Sequence, residues 1–135
     1  MKQQIILFTA GLMLSACAGS TPTWGNMSED DIGSWRDAGV TVNDVQKYMD
    51  AKMTSDNVLS WKNNGFVKVE NVLAWGKEGF APEEAKKWRD KNYKLEVAKK
   101  WKKNNFSFED AMEWIGAKFS LEDAKESRAK GLVPN

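Results

Sequence analysis

Histidine is absent from this chain of 135 residues, and cysteine occurs once, at Cys17. The absence of histidine and the single cysteine exclude most zinc-type metal sites and every catalytic arrangement that pairs Ser or Cys with His. A disulfide within the chain is impossible, because it requires two cysteines. We therefore predict a protein that is not an enzyme and that carries neither a metal ion nor another cofactor.

The chain also lacks an apolar run long enough to cross a bilayer, which takes about 20 residues. A shorter apolar stretch at residues 5–14 (IILFTAGLML) follows a start that contains Lys2 and precedes small residues. These are the features of a secretory signal. The residues Leu14, Ser15, Ala16 and Cys17 resemble the lipobox of bacterial lipoproteins, in which the cysteine is lipidated and becomes the new N-terminus.

This resemblance implies cleavage between Ala16 and Cys17 and a membrane anchor on Cys17. Ala18, rather than Asp, follows the cysteine, which implies retention in the outer membrane if the cell is Gram-negative. We predict a signal peptide at 1–16, a lipidated N-terminus with a flexible tether at 17–27, and a helical repeat domain at 28–135. Loss of Lys2 with the signal leaves equal numbers of basic and acidic residues.

Aromatic residues recur through the predicted domain at intervals of 13 residues, with one interval of 14. We call this set the aromatic column: Trp35, Tyr48, Trp61, Trp75, Trp88, Trp101 and Trp114. Gly or Asn usually stands four residues after each aromatic, and an apolar residue follows it. Ala or Val stands three residues before the next aromatic. Such periodicity indicates a repeat architecture.

A single long helix does not explain the repeat. Thirteen residues turn a helix through about 1300°, which leaves successive aromatic side chains about 220° apart. The sequence instead predicts a break in each unit, as at Ser107, which is typical of a helix N-cap and has Asp110 three residues later. Phe106 and Ala111 then occupy the positions of a hydrophobic staple. Ala81 and Lys94 lack a capping oxygen, and the extra residue of the long interval falls near Val67 and Lys68.

The predicted fold class is therefore all-α, with about eight short helices that form a small α-solenoid or a compact helical bundle. The predicted helices are 29–38, 42–51, 55–64, 69–78, 82–91, 95–104, 108–117 and 121–130. We expect each unit to contact its sequence neighbours and the aromatic column to form the core. The alternative is that the tryptophans are exposed platforms for a ligand. Pairs of carboxylates recur in the first helical turns, where they favour the helix dipole rather than catalysis.

Basic residues are concentrated in the middle of the chain, where residues 61–107 carry 12 Lys/Arg against 6 Asp/Glu. The predicted site for an anionic partner comprises Lys87, Arg89, Lys91, Lys100, Lys102 and Lys103. The alternative is that these cations only favour the C-terminal halves of their helices and keep the protein soluble.

We predict a lipid-anchored envelope protein that acts as a structural or protein-interaction scaffold. The second hypothesis is a module that binds peptidoglycan or another polysaccharide through tryptophan edges and the basic middle. The partners expected are the membrane, through the lipid anchor, and another envelope protein or peptidoglycan. Neither nucleic acid nor a metal is an expected partner, because a secreted lipoprotein would rarely meet nucleic acid and the chain lacks the usual ligands.

Overall fold

The computed structural model describes residues 23–134, which form eight α-helices and contain no strand. The helices, each of nine residues, are α1 (Glu29–Asp37), α2 (Val42–Asp50), α3 (Ser55–Asn63), α4 (Val69–Lys77), α5 (Pro82–Asp90), α6 (Leu95–Lys103), α7 (Phe108–Gly116) and α8 (Leu121–Ala129). The all-α fold class and the helical array are thus confirmed. Every helix begins at the predicted residue and ends one residue earlier than predicted.

Local signals explain where the helices begin. The hydroxyl oxygens of Ser28, Thr54, Ser107 and Ser120 each accept a hydrogen bond from the backbone N–H three residues later, at 3.0–3.2 Å. Pro82 is the first residue of α5, where its missing N–H costs no hydrogen bond. Thr41 is also an N-cap residue, but its hydroxyl donates to the Asp44 carboxylate at 3.2 Å and makes no bond to the backbone.

The helices end in one recurring backbone motif. The residue four positions after each member of the aromatic column has a positive φ of 60–85°, and the eighth unit follows the same rule. Its N–H bonds to the carbonyl three residues back at 2.8–3.0 Å, and the next N–H bonds to the carbonyl five residues back at 2.9–3.2 Å. This is the Schellman motif. The residues with positive φ at the eight helix ends are Gly39, Lys52, Gly65, Gly79, Asn92, Asn105, Lys118 and Gly131.

The motif also fixes the place of each aromatic residue. In the first seven units, the bond that spans five residues has the aromatic residue as its acceptor and the apolar residue five positions on as its donor. Their side chains meet, as a hydrophobic pair commonly does across this motif. Edge-to-face aromatic pairs with centroids 4.9–5.8 Å apart are Trp61–Phe66, Trp75–Phe80, Trp88–Tyr93, Trp101–Phe106 and Trp114–Phe119.

The aromatic column is buried throughout, with each member at most 7% exposed. The small residues three positions before the aromatics are buried as well, and Ala85, Ala98, Ala111 and Ala124 are 0% exposed. Small side chains there let neighbouring helices approach closely, and the aromatic rings fill the space beside them. The prediction that the tryptophans of the column are core residues is therefore confirmed.

The most extensive helix contacts join alternate helices as well as neighbours: α1 with α3, α2 with α4, α3 with α5, α5 with α7, α5 with α6 and α6 with α7. The expectation that units mainly contact their sequence neighbours is thus incomplete. Most connections have only four residues, in which the end of one helix and the start of the next overlap. Because the chain turns after every short helix, it brings alternate helices together. In the α3–α4 connection, the extra residue lies near the exposed Val67, as predicted.

The start of the described chain is packed against the helices. Trp24 and Met27, which fall within the predicted tether, are partly buried against the core. The guanidinium of Arg36 lies 5.4 Å from the centroid of the Trp24 ring. Cys17, the predicted signal peptide and the start of the predicted tether lie outside the described residues. None of the helices in residues 23–134 has the length and hydropathy needed to cross a membrane.

Candidate functional site

Arg89, one of the six basic residues predicted to meet an anionic partner, contacts its own chain. Its Nη2 donates to the backbone carbonyl of Asn64 at 2.8 Å. Its guanidinium carbon lies 4.4 Å from the centroid of the Phe66 ring. Both contacts are at the C-terminal end of α3, two helices before the arginine. Arg89 thus caps a helix end and covers an aromatic ring, roles that require no external ligand.

Three further residues of the predicted site form ion pairs within the chain. The Nζ of Lys102 lies 2.6 Å from Glu84, that of Lys103 lies 3.1 Å from Glu78, and that of Lys87 lies 2.5 Å from Glu109. Lys91 and Lys100 are exposed, and neither has an ion pair within 4.0 Å among the described residues. Four of the six predicted cations are therefore engaged by this chain, and the predicted anionic site stays a prediction.

One charge cluster joins Glu78 to two lysines. Its carboxylate lies 3.1 Å from the Nζ of Lys103 and 3.3 Å from that of Lys99. The hydrogen bond from Lys103, followed by the one from Lys99, lowers the pKa of Glu78 below its ordinary value. The pKa of Lys99 is raised, chiefly by its hydrogen bond with Glu78. These shifts hold both groups in their charged forms, which is typical of a structural ion pair rather than of an acid–base catalyst.

One buried group outside this cluster also has a shifted pKa. Burial raises the pKa of the Tyr48 phenol to about 12, with smaller effects from the charges of Asp44 and Glu70. The phenol therefore stays protonated at neutral pH. Within residues 23–134, no group of three or more acidic, Cys or His side chains converges in a way that could hold a metal ion.

The contacts of Arg89 belong to a pattern at the residue directly after each aromatic, which we call the +1 position. Its occupants are Arg36, Met49, Lys62, Gly76, Arg89, Lys102 and Ile115, with Arg128 in the eighth unit. Several of these cations reach the end of the helix two units earlier. Lys62 donates to the Gly39 carbonyl, and Arg128 donates to the carbonyls of Asn105 and Asn104 at 2.8 and 2.6 Å.

Aromatic rings at those helix ends receive the same cations. The guanidinium carbon of Arg128 lies 3.6 Å from the centroid of Phe106, and the Nζ of Lys102 lies 4.7 Å from that of Phe80. The ring belongs in each case to the residue that completes the Schellman motif two helices earlier. A cation at the +1 position thus has a recurring structural role, in which it covers a ring, meets terminal carbonyls, or does both.

Gly76, like Met49 and Ile115, supplies no cation at the +1 position; it alone of the eight has no side chain, and a cavity lies beside it. The cavity has a volume of about 590 Å³ and is lined by Met53, Asn57, Ser60, Trp61, Leu73 and Phe80, among others. We call it the Gly76 cavity. A Cβ built on Gly76 would stand 3.8 Å from Cζ2 of Trp61, which is an ordinary contact. The glycine therefore leaves open a place that a side chain could occupy.

Equivalent cavities in neighbouring units show what the glycine changes. One unit further on, a cavity of about 430 Å³ is bordered by Phe66, Trp75 and Tyr93, with Arg89 at the +1 position. Two units back, a cavity of about 490 Å³ is bordered by Met27 and Trp35, with Met49 at the +1 position. The Gly76 cavity has the largest volume of the three. Its size lies within the range typical of small-ligand sites.

The sequence contains the signal that points to this cavity. The +1 position holds Arg or Lys in five of the eight units and glycine in one, at Gly76. Sequence reasoning missed it because the cavity depends on contacts between α2, α3 and α4, which have no local signature. The predicted lipid-attachment residue, Cys17, lies outside the described residues.

Known proteins give this chain no relatives from which a site could be transferred. No protein-family model matches it, and neither a curated protein nor a solved structure is significantly similar to it.

Proposed function

We propose that this protein is a lipid-anchored component of the bacterial cell envelope that acts as a non-enzymatic interaction scaffold. The Gly76 cavity is the observation that supports a role in binding a partner. Elsewhere in residues 23–134, the repeated tryptophans form the core and the recurrent acidic pairs lie in first helical turns. The cavity departs from that repeat and offers an open, largely apolar surface with a few polar groups, as binding sites commonly do.

The lipobox residues support the anchoring part of the proposal. Leu14, Ser15, Ala16 and Cys17 form the motif, and Ala18 favours the outer membrane. Stable anchoring at a membrane takes two acyl chains, or one chain with a second membrane-binding signal, and a diacylated cysteine supplies two chains. The helices would then extend from the membrane surface toward a partner in the envelope.

Lipid labelling and membrane flotation test the anchor. We expect the wild-type chain to incorporate labelled palmitate and to float with membranes, and Cys17→Ser to lose both properties. Ser15→Ala, which keeps a small residue in the motif and the cysteine itself, is the matched control. Membrane flotation and labelling that survive in Cys17→Ser would contradict the proposed anchor.

Affinity capture from detergent-solubilised envelopes tests the scaffold. The wild-type chain should retain a defined partner at a fixed stoichiometry, and a variant with Leu73→Glu at the cavity wall should lose it while keeping its helical circular dichroism. Leu59→Glu, at an exposed position of α3, is the control and should keep the partner. A wild-type chain that captures nothing specific would contradict the scaffold function.

The second candidate function is binding of peptidoglycan or another anionic polysaccharide. It is favoured by the exposed Lys91 and Lys100, which have no ion pair among the described residues. This version predicts salt-sensitive cosedimentation with purified sacculi that is lost in the double variant Lys91→Glu and Lys100→Glu. Cosedimentation that is unchanged by these substitutions would contradict it.

A further inference from the structure

The strongest unexplained feature is the missing cation at Gly76. The equivalent positions in α3, α5, α6 and α8 hold Lys62, Arg89, Lys102 and Arg128, and each reaches a ring or a terminal carbonyl two helices earlier. The helix that Gly76 would serve in this way is α2. Within residues 23–134, no side chain donates a hydrogen bond to the terminal carbonyls of Ala51 and Lys52.

We propose that the Gly76 cavity binds an arginine side chain presented by a protein partner. The bound arginine occupies the place that arginine or lysine of this chain takes in the equivalent units. The inference deepens the proposed function and rests on it only in taking a protein as the source of the arginine. The groups that would recognise the arginine all belong to this chain.

The cavity repeats the surroundings that Arg89 has in the next unit. Trp61 and Phe80 line the Gly76 cavity. Their equivalents one unit further on, Trp75 and Tyr93, line the cavity beside Arg89. Asn57 corresponds in the same way to Asn71. The ring beneath the guanidinium is replaced by the thioether of Met53, which is also polarisable and lies against the core. An incoming guanidinium would therefore find surroundings similar to those of Arg89, except that Lys52 stands where the Arg89 site has Gly65.

Charge favours a cation at this place. The carbonyls at the C-terminal end of a helix carry partial negative charge, and α2 ends at Asp50 beside the cavity residues Ala51 and Met53. Residues 24–60, which include α1, α2 and α3, carry 3 Lys/Arg against 7 Asp/Glu. Lys77, which lines the cavity, and Lys52, which follows α2, oppose a bound cation, but both side chains are exposed to solvent.

Arginine fits this geometry better than lysine does. Arg128 uses two nitrogens to reach two successive carbonyls, at 2.8 and 2.6 Å, while its plane covers a ring. A guanidinium has the fixed fork of donors that permits this, whereas an ammonium is a compact point charge. The apolar stem of the arginine would lie along Trp61 and Leu73.

An NMR titration of the full chain in detergent micelles tests the proposal. The probes are the capped tripeptide acetyl-Gly-Arg-Gly-amide and its counterparts with citrulline or norleucine at the centre. We expect the arginine peptide to shift the indole N–H of Trp61 and the amide signals of Met53 and Gly76. It should bind at least about fivefold more tightly than either neutral peptide, which is the factor that about 1 kcal/mol supplies. Lys77→Gln should tighten binding by removing a like charge.

Matched glycine substitutions locate the site. Gly76→Arg should abolish the shifts, because its own side chain fills the cavity. Gly33→Arg, in the middle of α1 with no atom within 4 Å of a built Cβ, should leave binding unchanged. Equal or tighter binding of the norleucine peptide would show an apolar occupant and overturn the proposal. So would equal binding of the citrulline peptide, or the absence of any shift at Trp61.

Capture experiments separate this inference from the proposed function. A partner retained equally by wild type and by Gly76→Arg would overturn the arginine site and leave the scaffold function standing. Arginine-specific shifts in a wild-type chain that captures no envelope protein would support the site's chemistry and contradict the scaffold function. Loss of the partner in Gly76→Arg, but not in Gly33→Arg, supports both.

Discussion

The Phe106 ring meets the edge of Trp101 at a centroid distance of 5.0 Å and an interplanar angle of 81°. The same two residues are joined through the backbone, where the Phe106 N–H donates to the Trp101 carbonyl at 3.1 Å. A helix end and a core contact are therefore one structural unit. The short helices of this protein depend on such packing, because isolated helices below about 12–15 residues are marginal in water.

The two rings should be energetically coupled. We expect Trp101→Leu and Phe106→Leu each to lower the free energy of unfolding, and the double variant to lose less than the sum. The difference should be about 0.5–1.5 kcal/mol, which is typical of aromatic pairs. Denaturant unfolding of the four proteins in the cycle measures it.

A cycle between Trp101 and Phe119 is the control, because Phe119 pairs with Trp114 instead. Its two substitutions should add within about 0.5 kcal/mol. Additive losses for Trp101 and Phe106 would show that their contact contributes no coupling and would contradict this account of the helix ends.

Two helix ends are closed by a lysine in the left-handed conformation. Lys52 has a φ of 60° and Lys118 a φ of 67°, where other units have Gly or Asn. A side chain in this conformation costs about 1–2 kcal/mol, and glycine avoids that cost but loses more chain entropy on folding. We expect Lys52→Gly and Lys118→Gly each to raise the free energy of unfolding by about 0.5–1 kcal/mol, as measured in denaturant.

Lys91→Gly is the matched control, because Lys91 stands one position earlier in its helix end and has a φ of −91°. Glycine brings no conformational relief there and should destabilise the protein. If all three substitutions lower stability equally, the left-handed residues are not strained and the argument fails.

The ion pairs of Glu78 should make stability depend on pH. Its folded-state pKa lies below the unfolded value of about 4.3, chiefly because of the hydrogen bond from Lys103. Its contribution is therefore fully present above the unfolded pKa and is lost as pH falls through the folded pKa, since the unfolded state binds the proton first. We expect Glu78→Gln to reduce stability at pH 7 and to approach wild type in acid.

Urea unfolding from pH 7 down to pH 2 checks this expectation, with Glu113→Gln as the control. Glu113 forms no ion pair among the residues that the structure describes. A constant difference between Glu78→Gln and wild type across that range would contradict the ion-pair account.

The sequence was sufficient to predict where helices begin because those signals are local. Ser107 caps its helix through a hydrogen bond from the N–H of Asp110, three residues later. Pro82 needs no capping bond at the first position of its helix, because it has no N–H. The left-handed residue was recognisable at Gly39 or Asn105, which tolerate that conformation, but not at Lys52 or Lys118. Those two positions adopt it because the packing of the repeat outweighs the preference of a single residue.

The site was less predictable because it depends on contacts about 22–25 residues apart. Arg89 and Lys102 are in a basic segment, which made them candidates for an external partner, yet they lie over Phe66 and Phe80 of their own chain. The packing of alternate helices, which creates these contacts, leaves no mark on a single unit. Gly76 stands out only once the cations at other +1 positions are known to contact rings and carbonyls of their own chain.

Tryptophan fluorescence tests most directly the central claim that the aromatic column is the core rather than a ligand platform. Six of the seven tryptophans are buried, and Trp24 is half-buried beside Arg36. We expect emission clearly blue-shifted from that of free tryptophan, little quenching by acrylamide, and loss of most of the quenchable part in Trp24→Phe. Water-like emission that acrylamide quenches fully in both proteins would contradict the claim.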